Sequence, residues 1–169
     1  ISGVEAEVNY VATDNLRFDI SVGFLDAQID EIEGGSLNSG ADNTKTTITK
    51  DNVMPYTPDW QIALGVNYSI DLNSGAYIRS RLDWIYSDEQ FFSIENSPRN
   101  FEDSYAVVNA NVSFITPSEE WEFTLGAKNL LDEQYATTSR TQADTASAYE
   151  SLSRPREVYL QARYRFGGR

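Results

Sequence analysis

The 169-residue sequence contains no cysteine and no histidine. Without cysteine there is no disulfide framework and no thiolate nucleophile. Without histidine no Ser-His-Asp or Cys-His pair can be assembled, and the commonest metal-binding side chain is missing. Positive charge is scarce: 13 Lys and Arg stand against 26 Asp and Glu, a net charge of −13. A nucleic-acid partner would need a basic stripe, so none is expected. Long apolar runs are missing too, which excludes a transmembrane helix. The hydrophobic fraction of 40% suits a soluble domain, but it equally suits membrane-barrel strands that are apolar on one side only. The opening ISGVEAEVNY has no Met, no basic residue and no apolar signal core. It reads as the start of a processed or truncated chain.

What the sequence does have is alternation with a period of two, the mark of strands with one greasy and one polar face. Val4, Ala6, Val8, Tyr10 and Ala12 alternate with Glu5, Glu7 and Asn9, and Leu16, Phe18, Ile20, Val22 and Phe24 with Arg17, Asp19 and Ser21. The turn Thr13-Asp14-Asn15 joins these two into a hairpin. Trp60, Ile62, Leu64, Val66, Tyr68 and Ile70 form the clearest stripe, followed by Ala76, Ile78, Ser80, Leu82, Trp84 and Tyr86. Ala106 to Phe114, Trp121 to Ala127 and Val158 to Phe166 supply three more. The pattern predicts an all-β fold, an antiparallel up-and-down meander of about seven strands.

The connections have a polarity. Three are tight turns, at 13–15, 71–75 and 117–119. The three between them are long and polar, at about 26–58, 87–104 and 131–155, with Thr46 to Thr49 a candidate for continued strand. In a meander the short and long connections fall on opposite ends, as in outer-membrane barrels. Two aromatic belts are expected at the strand ends. Tyr10, Phe18, Tyr68, Phe114, Trp121, Tyr164 and Phe166 form one, and Phe24, Trp60, Trp84 and Tyr86 the other.

Alternation alone does not say which face is outside. In a soluble ligand-binding barrel the apolar face points inward, and in a membrane barrel it points to lipid. Val8, Ile20, Leu64, Leu82, Ala110 and Leu125, the middles of the apolar stripes, carry no charge, whereas the opposite faces hold charges of both signs. Loop asymmetry and the aromatic belts favour lipid outside and a watery lumen inside.

The stretch WEFTLGAKNLLDEQY, from Trp121 to Tyr135, resembles the penultimate strand of TonB-dependent outer-membrane receptors, with its Asn-Leu-x-Asp-x-x-Tyr signature at Asn129 to Tyr135. Met54 to Trp60 resembles the proline-bearing lead into a late strand of that family, and Arg154-Pro155-Arg156 the final approach. The last strand, ending on Tyr164 and Phe166, resembles the signal by which barrel-assembly machinery recognises its clients. In the family a barrel of about 22 strands encloses an N-terminal plug. The resemblance therefore implies that residues 1–169 are a C-terminal part of such a barrel, without the plug. It also implies a bacterial outer-membrane location, with lipid, lipopolysaccharide, the rest of the barrel and, through the plug, the TonB complex as partners. The function implied is import of a scarce nutrient, a ferric siderophore foremost, and no enzymatic activity or cofactor.

Several residue groups are candidates for ligand or metal. Arg79, Arg81, Lys128 and Arg163 fall on the polar faces and would line a path for an anionic ligand, or else form an ion-pair lattice with Asp19, Asp83 and Glu122. Phe91, Phe92 and Phe101, with Tyr56 and Tyr149, stand in long loops, where they would grip ligand or anchor the loops. Asp71 to Gly75 imitates the start of a calcium loop, but its twelfth position is Leu82, so it reads as a plain turn. The acidic cluster Asp26, Asp30, Glu31 and Glu33 reads as a solvated rim. Glu5 and Glu7, about 7 Å apart on one strand face, have no shaped cleft to make them an acid–base pair. No metal site and no catalytic residue is assigned. Asn129, Asp132 and Tyr135 are expected to cap the strand-to-loop transition. Loops that close over ligand would be more mobile than the strands.

Two other architectures fit the same pattern. One is a complete eight-stranded outer-membrane barrel, which needs an extra strand near Lys45 to Asp51. The other is a soluble ligand-binding barrel. A hydrolase on a barrel frame is the enzymatic rival, weakened by the missing histidine.

Overall fold

The computed structural model describes residues 1–32, 37–39, 46–142 and 147–167. Seven long strands form one antiparallel sheet in sequence order. They are β1 (Ser2–Thr13), β2 (Leu16–Asp26), β3 (Trp60–Asp71), β4 (Tyr77–Ser87), β5 (Tyr105–Ile115), β6 (Trp121–Lys128) and β7 (Glu157–Tyr164). Each pairs only with its sequence neighbours, so the sheet is an open meander, as the alternation predicts.

Register keeps the two faces separate across the whole wall. Val8 stands opposite Ile20, Ile20 opposite Leu64 and Leu64 opposite Trp84. Val66 meets Leu82, Leu82 meets Ala110, and Leu125 meets both Val112 and Leu160. A slip of one residue would throw a charged stripe onto the greasy side, so the pattern fixes the pairing. The greasy side is not a core: Leu82 is 46% exposed and Leu125 58%. The aromatic ends of the stripes form contacts near both rims. Tyr10 stacks on Phe18 and Trp121 touches Tyr164 at one rim, while Phe24 meets Trp60 and Trp84 stacks on Tyr86 at the other.

The structure corrects several boundaries. Strand β4 begins at Tyr77, because the carbonyl of Ala76 accepts from the Leu72 amide at 2.9 Å and closes the turn. Gly75, at φ 83°, supplies the left-handed corner of that turn. Strand β7 ends at Tyr164, since its partner β6 starts at Trp121 and offers no further strand residue to pair. Phe166 therefore lies beyond the last strand, 89% exposed. The long loops carry ladders of their own: Leu37–Ser39 with Thr46–Ile48, Gln90–Phe91 with Phe101–Glu102, and Ala136–Gln142 with Ser147–Leu152. The expected strand near Thr46 exists, but it pairs inside its own loop and adds no eighth member to the wall. Among the described strands β1 does not pair with β7, so the closed eight-stranded barrel is not this arrangement. The greasy stripes likewise enclose no apolar interior among the described residues.

Candidate functional site

The polar face carries the lattice that the charged residues suggest. Arg81 on β4 is its hub. Its Nη1 donates to Asp19 Oδ2 at 2.9 Å and to Asn67 Oδ1 at 3.0 Å, and its Nη2 meets Asp83 Oδ1 at 2.6 Å. Asn67 Nδ2 returns a bond to Asp19 at 2.9 Å. Three neighbouring strands are thereby tied by side chains as well as backbone. Gly65 makes room for the guanidinium: a Cβ there would lie 2.8 Å from Arg81 Nη2. Farther along the wall Glu122 takes both Arg163 (3.6 Å) and Arg165 (3.2 Å). Ser113 and Thr124 share a buried hydroxyl bond of 2.7 Å, and Tyr159 lies over Gly126, where any side chain would collide with its ring. Such packing of an aromatic over a strand glycine shields backbone that would otherwise face water.

Toward the long loops the polar face opens into a hollow of about 910 Å³, with Glu5, Glu7, Lys128, Arg154 and Glu157 among its lining residues. The stacked pair Tyr105 and Tyr135, 3.9 Å between centroids, also lines it. Both signs of charge and an aromatic platform give it the means to hold a polar ligand with a flat or charged face.

The Asn-Leu-x-Asp-x-x-Tyr motif closes the rim. Asn129 is 6% exposed and has φ 49°, in the left-handed region that Asn tolerates. Its Oδ1 accepts from the Glu133 amide at 2.8 Å, and its Nδ2 donates to the carbonyls of Glu133 (2.8 Å) and Arg154 (3.0 Å). Asp132, also left-handed, accepts the Arg156 amide at 2.7 Å. One turn after β6 thus holds both the start of the third loop and the approach to β7. This is a structural knot, as expected for these residues.

The loop aromatics anchor one another. Phe91 packs on Phe101 (4.9 Å), and Phe92, 6% exposed, packs on Tyr56 (5.4 Å). Glu102 adds a charged group to this region, its Oε2 accepting from the Ala136 amide at 2.8 Å. Burial pushes the Glu102 carboxyl above the ordinary glutamate range; the amide bond opposes this, while Glu150, Asp103 and Glu133 add to it. A carboxyl that holds its proton more tightly when folded contributes stability that is full below its unfolded pKa and lost as pH rises through the folded value. The contact between the second and third loops is therefore expected to slacken over that window. Hydrogen exchange at the Ala136 amide, followed against pH, checks this, and Glu102→Gln should flatten the dependence.

Of the basic candidates, the structure draws Arg81 and Arg163 into ion pairs. Arg79 stands apart from that lattice, over the Tyr77 ring at 5.6 Å. Lys128 faces the hollow. Asp71 to Gly75 is a plain turn. Among the described residues no cluster of acidic side chains is placed to hold a metal ion; Glu33 lies outside them. Sequence reasoning missed Asn96, Asn100 and Ser139, which bond between loops and whose residue types carry no periodic signal.

An antiparallel sheet with one apolar and one charged face, tightly turned at one end and elaborated at the other, has the pattern of a section of wall from a transmembrane β-barrel. The family model for the TonB dependent receptor-like β-barrel matches residues 1–130, and the chain belongs to that family. In shape the chain is similar to the ferric yersiniabactin uptake receptor FyuA from Yersinia pestis, with a TM-score of 0.76 and 20% identity over 96% of the chain. The siderophore receptor PiuA from Acinetobacter baumannii gives 0.70 and 19%, and BauA, the ferric preacinetobactin receptor of the same organism, 0.68 and 16%, each again over 96% of the chain. The chain spans 23% of FyuA and 21% of each of the other two. No curated protein sequence matches it significantly.

Proposed function

We propose that this chain is wall and outer mouth of a bacterial outer-membrane receptor that imports a scarce nutrient, most simply a ferric siderophore, with energy supplied through TonB. The observation that carries the reading is the division of the wall into a bare greasy face and a charged, hydrogen-bonded one. A bilayer outside and water inside satisfy both faces at once, as in the barrels of the family that the chain belongs to. The free edges of β1 and β7 point the same way. Unpaired strand edges cost several kcal/mol per group in hydrocarbon, so further strands of the same receptor would flank them. In the complete barrel the Arg81 lattice would stiffen the wall beside a plug. Arg79 and Lys128, the basic candidates outside the two ion-pair groups, remain the ones for contact with an anionic ligand. Tyr164 and Phe166, edge to face at 4.6 Å, would serve the assembly machinery, and the outer rim would meet lipopolysaccharide. The siderophore class rests on the three structural relatives, each named for one.

The test is uptake. Cells lacking the full-length receptor should lose accumulation of one radioactive ferric siderophore and regain it from a plasmid copy, with no recovery in a strain without TonB. Unchanged uptake of a broad siderophore panel would overturn the iron assignment. Uptake independent of TonB would overturn the mechanism.

A further inference from the structure

The contacts of the three long loops are those of one folded body. Among the described residues, the buried hydrophobic side chains are Ile48, Ala76, Phe92, Ile115 and Ala136. Three of these (Ile48, Phe92 and Ala136) lie in the loops, while the middles of the greasy wall stripes contribute none. Buried polar groups gather there as well: Asn100 is 5% exposed and Ser139 1%.

The second loop is the member that holds the others. Toward the first loop, Asn96 accepts from the Val53 amide at 2.6 Å and donates to the Val53 carbonyl at 2.9 Å. The Tyr56 amide adds a bond to the Phe91 carbonyl at 2.9 Å, and Asn52 Nδ2 one to the Ile94 carbonyl at 3.1 Å. Toward the third loop, Asn100 Oδ1 accepts from Ser139 Oγ at 3.0 Å and Thr141 Oγ1 at 3.2 Å, while its Nδ2 donates to Ser93 Oγ at 3.2 Å. The triangle is closed directly between the first and third loops, where the hydroxyls of Tyr56 and Thr138 lie 2.9 Å apart.

At the corner between the second and third loops the paired side chains are buried, so opening it leaves donors and acceptors without partners; the Asn96 and Tyr56 corners are open to water and fix the register of the first loop on the other two. We infer that residues 48–58, 90–102 and 136–141 form a single rigid canopy keyed by Asn96 and Asn100, and that these loops move together or not at all when ligand arrives. Asn100 acts here as a positioning residue, holding the third loop on the second. The inference does not depend on which nutrient is carried, or on import itself.

Hydrogen–deuterium exchange on the full-length receptor in detergent tests it, comparing the native protein with Asn100→Ala and Asn100→Asp. In the native protein 91–101 and 136–141 should exchange about tenfold or more slowly than 27–32, which has no ladder of its own. Asn100→Ala should speed exchange across the loop boundary, at 136–141 and 53–56 as well as 93–101, and leave β3 to β6 unchanged. Asn100→Asp keeps the accepting oxygen and should restore protection at 136–141. If Asn100→Ala prevents barrel assembly, Ser139→Ala removes one hydroxyl and gives the same comparison. Exchange altered only within 93–101, or equally fast exchange throughout the native loops, would overturn the inference.

Discussion

Leu82→Arg is expected to destabilise the assembled barrel by about 2–4 kcal/mol, the cost of a cationic side chain near the bilayer midplane. Leu82 stands at the middle of β4, 46% exposed on the greasy face, with Val66 and Ala110 beside it. No charge on that face lies near enough to offset the guanidinium. The control is Ser21→Arg, exposed on the polar face of β2 and opposite Glu7 and Ala63. There the new charge meets a watery lumen and should cost well under about 1 kcal/mol. Urea unfolding of the full-length barrel in lipid vesicles measures both. Equal costs at the two positions would mean that the faces are not in different solvents.

Asn129→Ala is the second large effect, expected at about 2–3 kcal/mol. The change strips partners from the Glu133 amide and from the Glu133 and Arg154 carbonyls. An unsatisfied buried group costs about 1–3 kcal/mol, lessened here because the knot lies at a rim that water can reach. A Cβ without a compensating amide in left-handed backbone adds about 1 kcal/mol. Asn129→Gly should recover the backbone part alone. Asn129→Asp, which keeps the acceptor for the Glu133 amide but not the donations, should fall between wild type and alanine. The same unfolding measurement decides, and a neutral Asn129→Ala would deny the knot its role.

Much of the wall was legible because strand alternation is a direct record of two solvents. The run from Trp60 to Ile70 needs no partner to be read, and its register with β2 and β4 follows from keeping like faces together. The lattice was half legible. Arg79 and Arg81 share a face and a residue type, so their spacing alone does not tell them apart. Only register places Gly65 and Asp19 within reach of Arg81 and leaves Arg79 with Tyr77. The end of β7 was misjudged at Phe166 because alternation continues in the sequence after the neighbouring strand has run out. The loops were the least legible. The contacts between them rest on Asn, Ser and Thr side chains bonding over separations of about forty residues, as Ser139 does to the Arg99 carbonyl. No local period encodes such a bond.

The account stands on which face of the wall meets lipid, and spin labels placed singly from 78 to 86 along β4 of the full-length receptor in vesicles measure that directly. Collision with oxygen, which concentrates in hydrocarbon, should peak at 78, 80, 82, 84 and 86. Collision with a water-soluble nickel chelate should peak at 79, 81, 83 and 85. Nickel accessibility highest at 82 and 84, or no alternation at all, would contradict it.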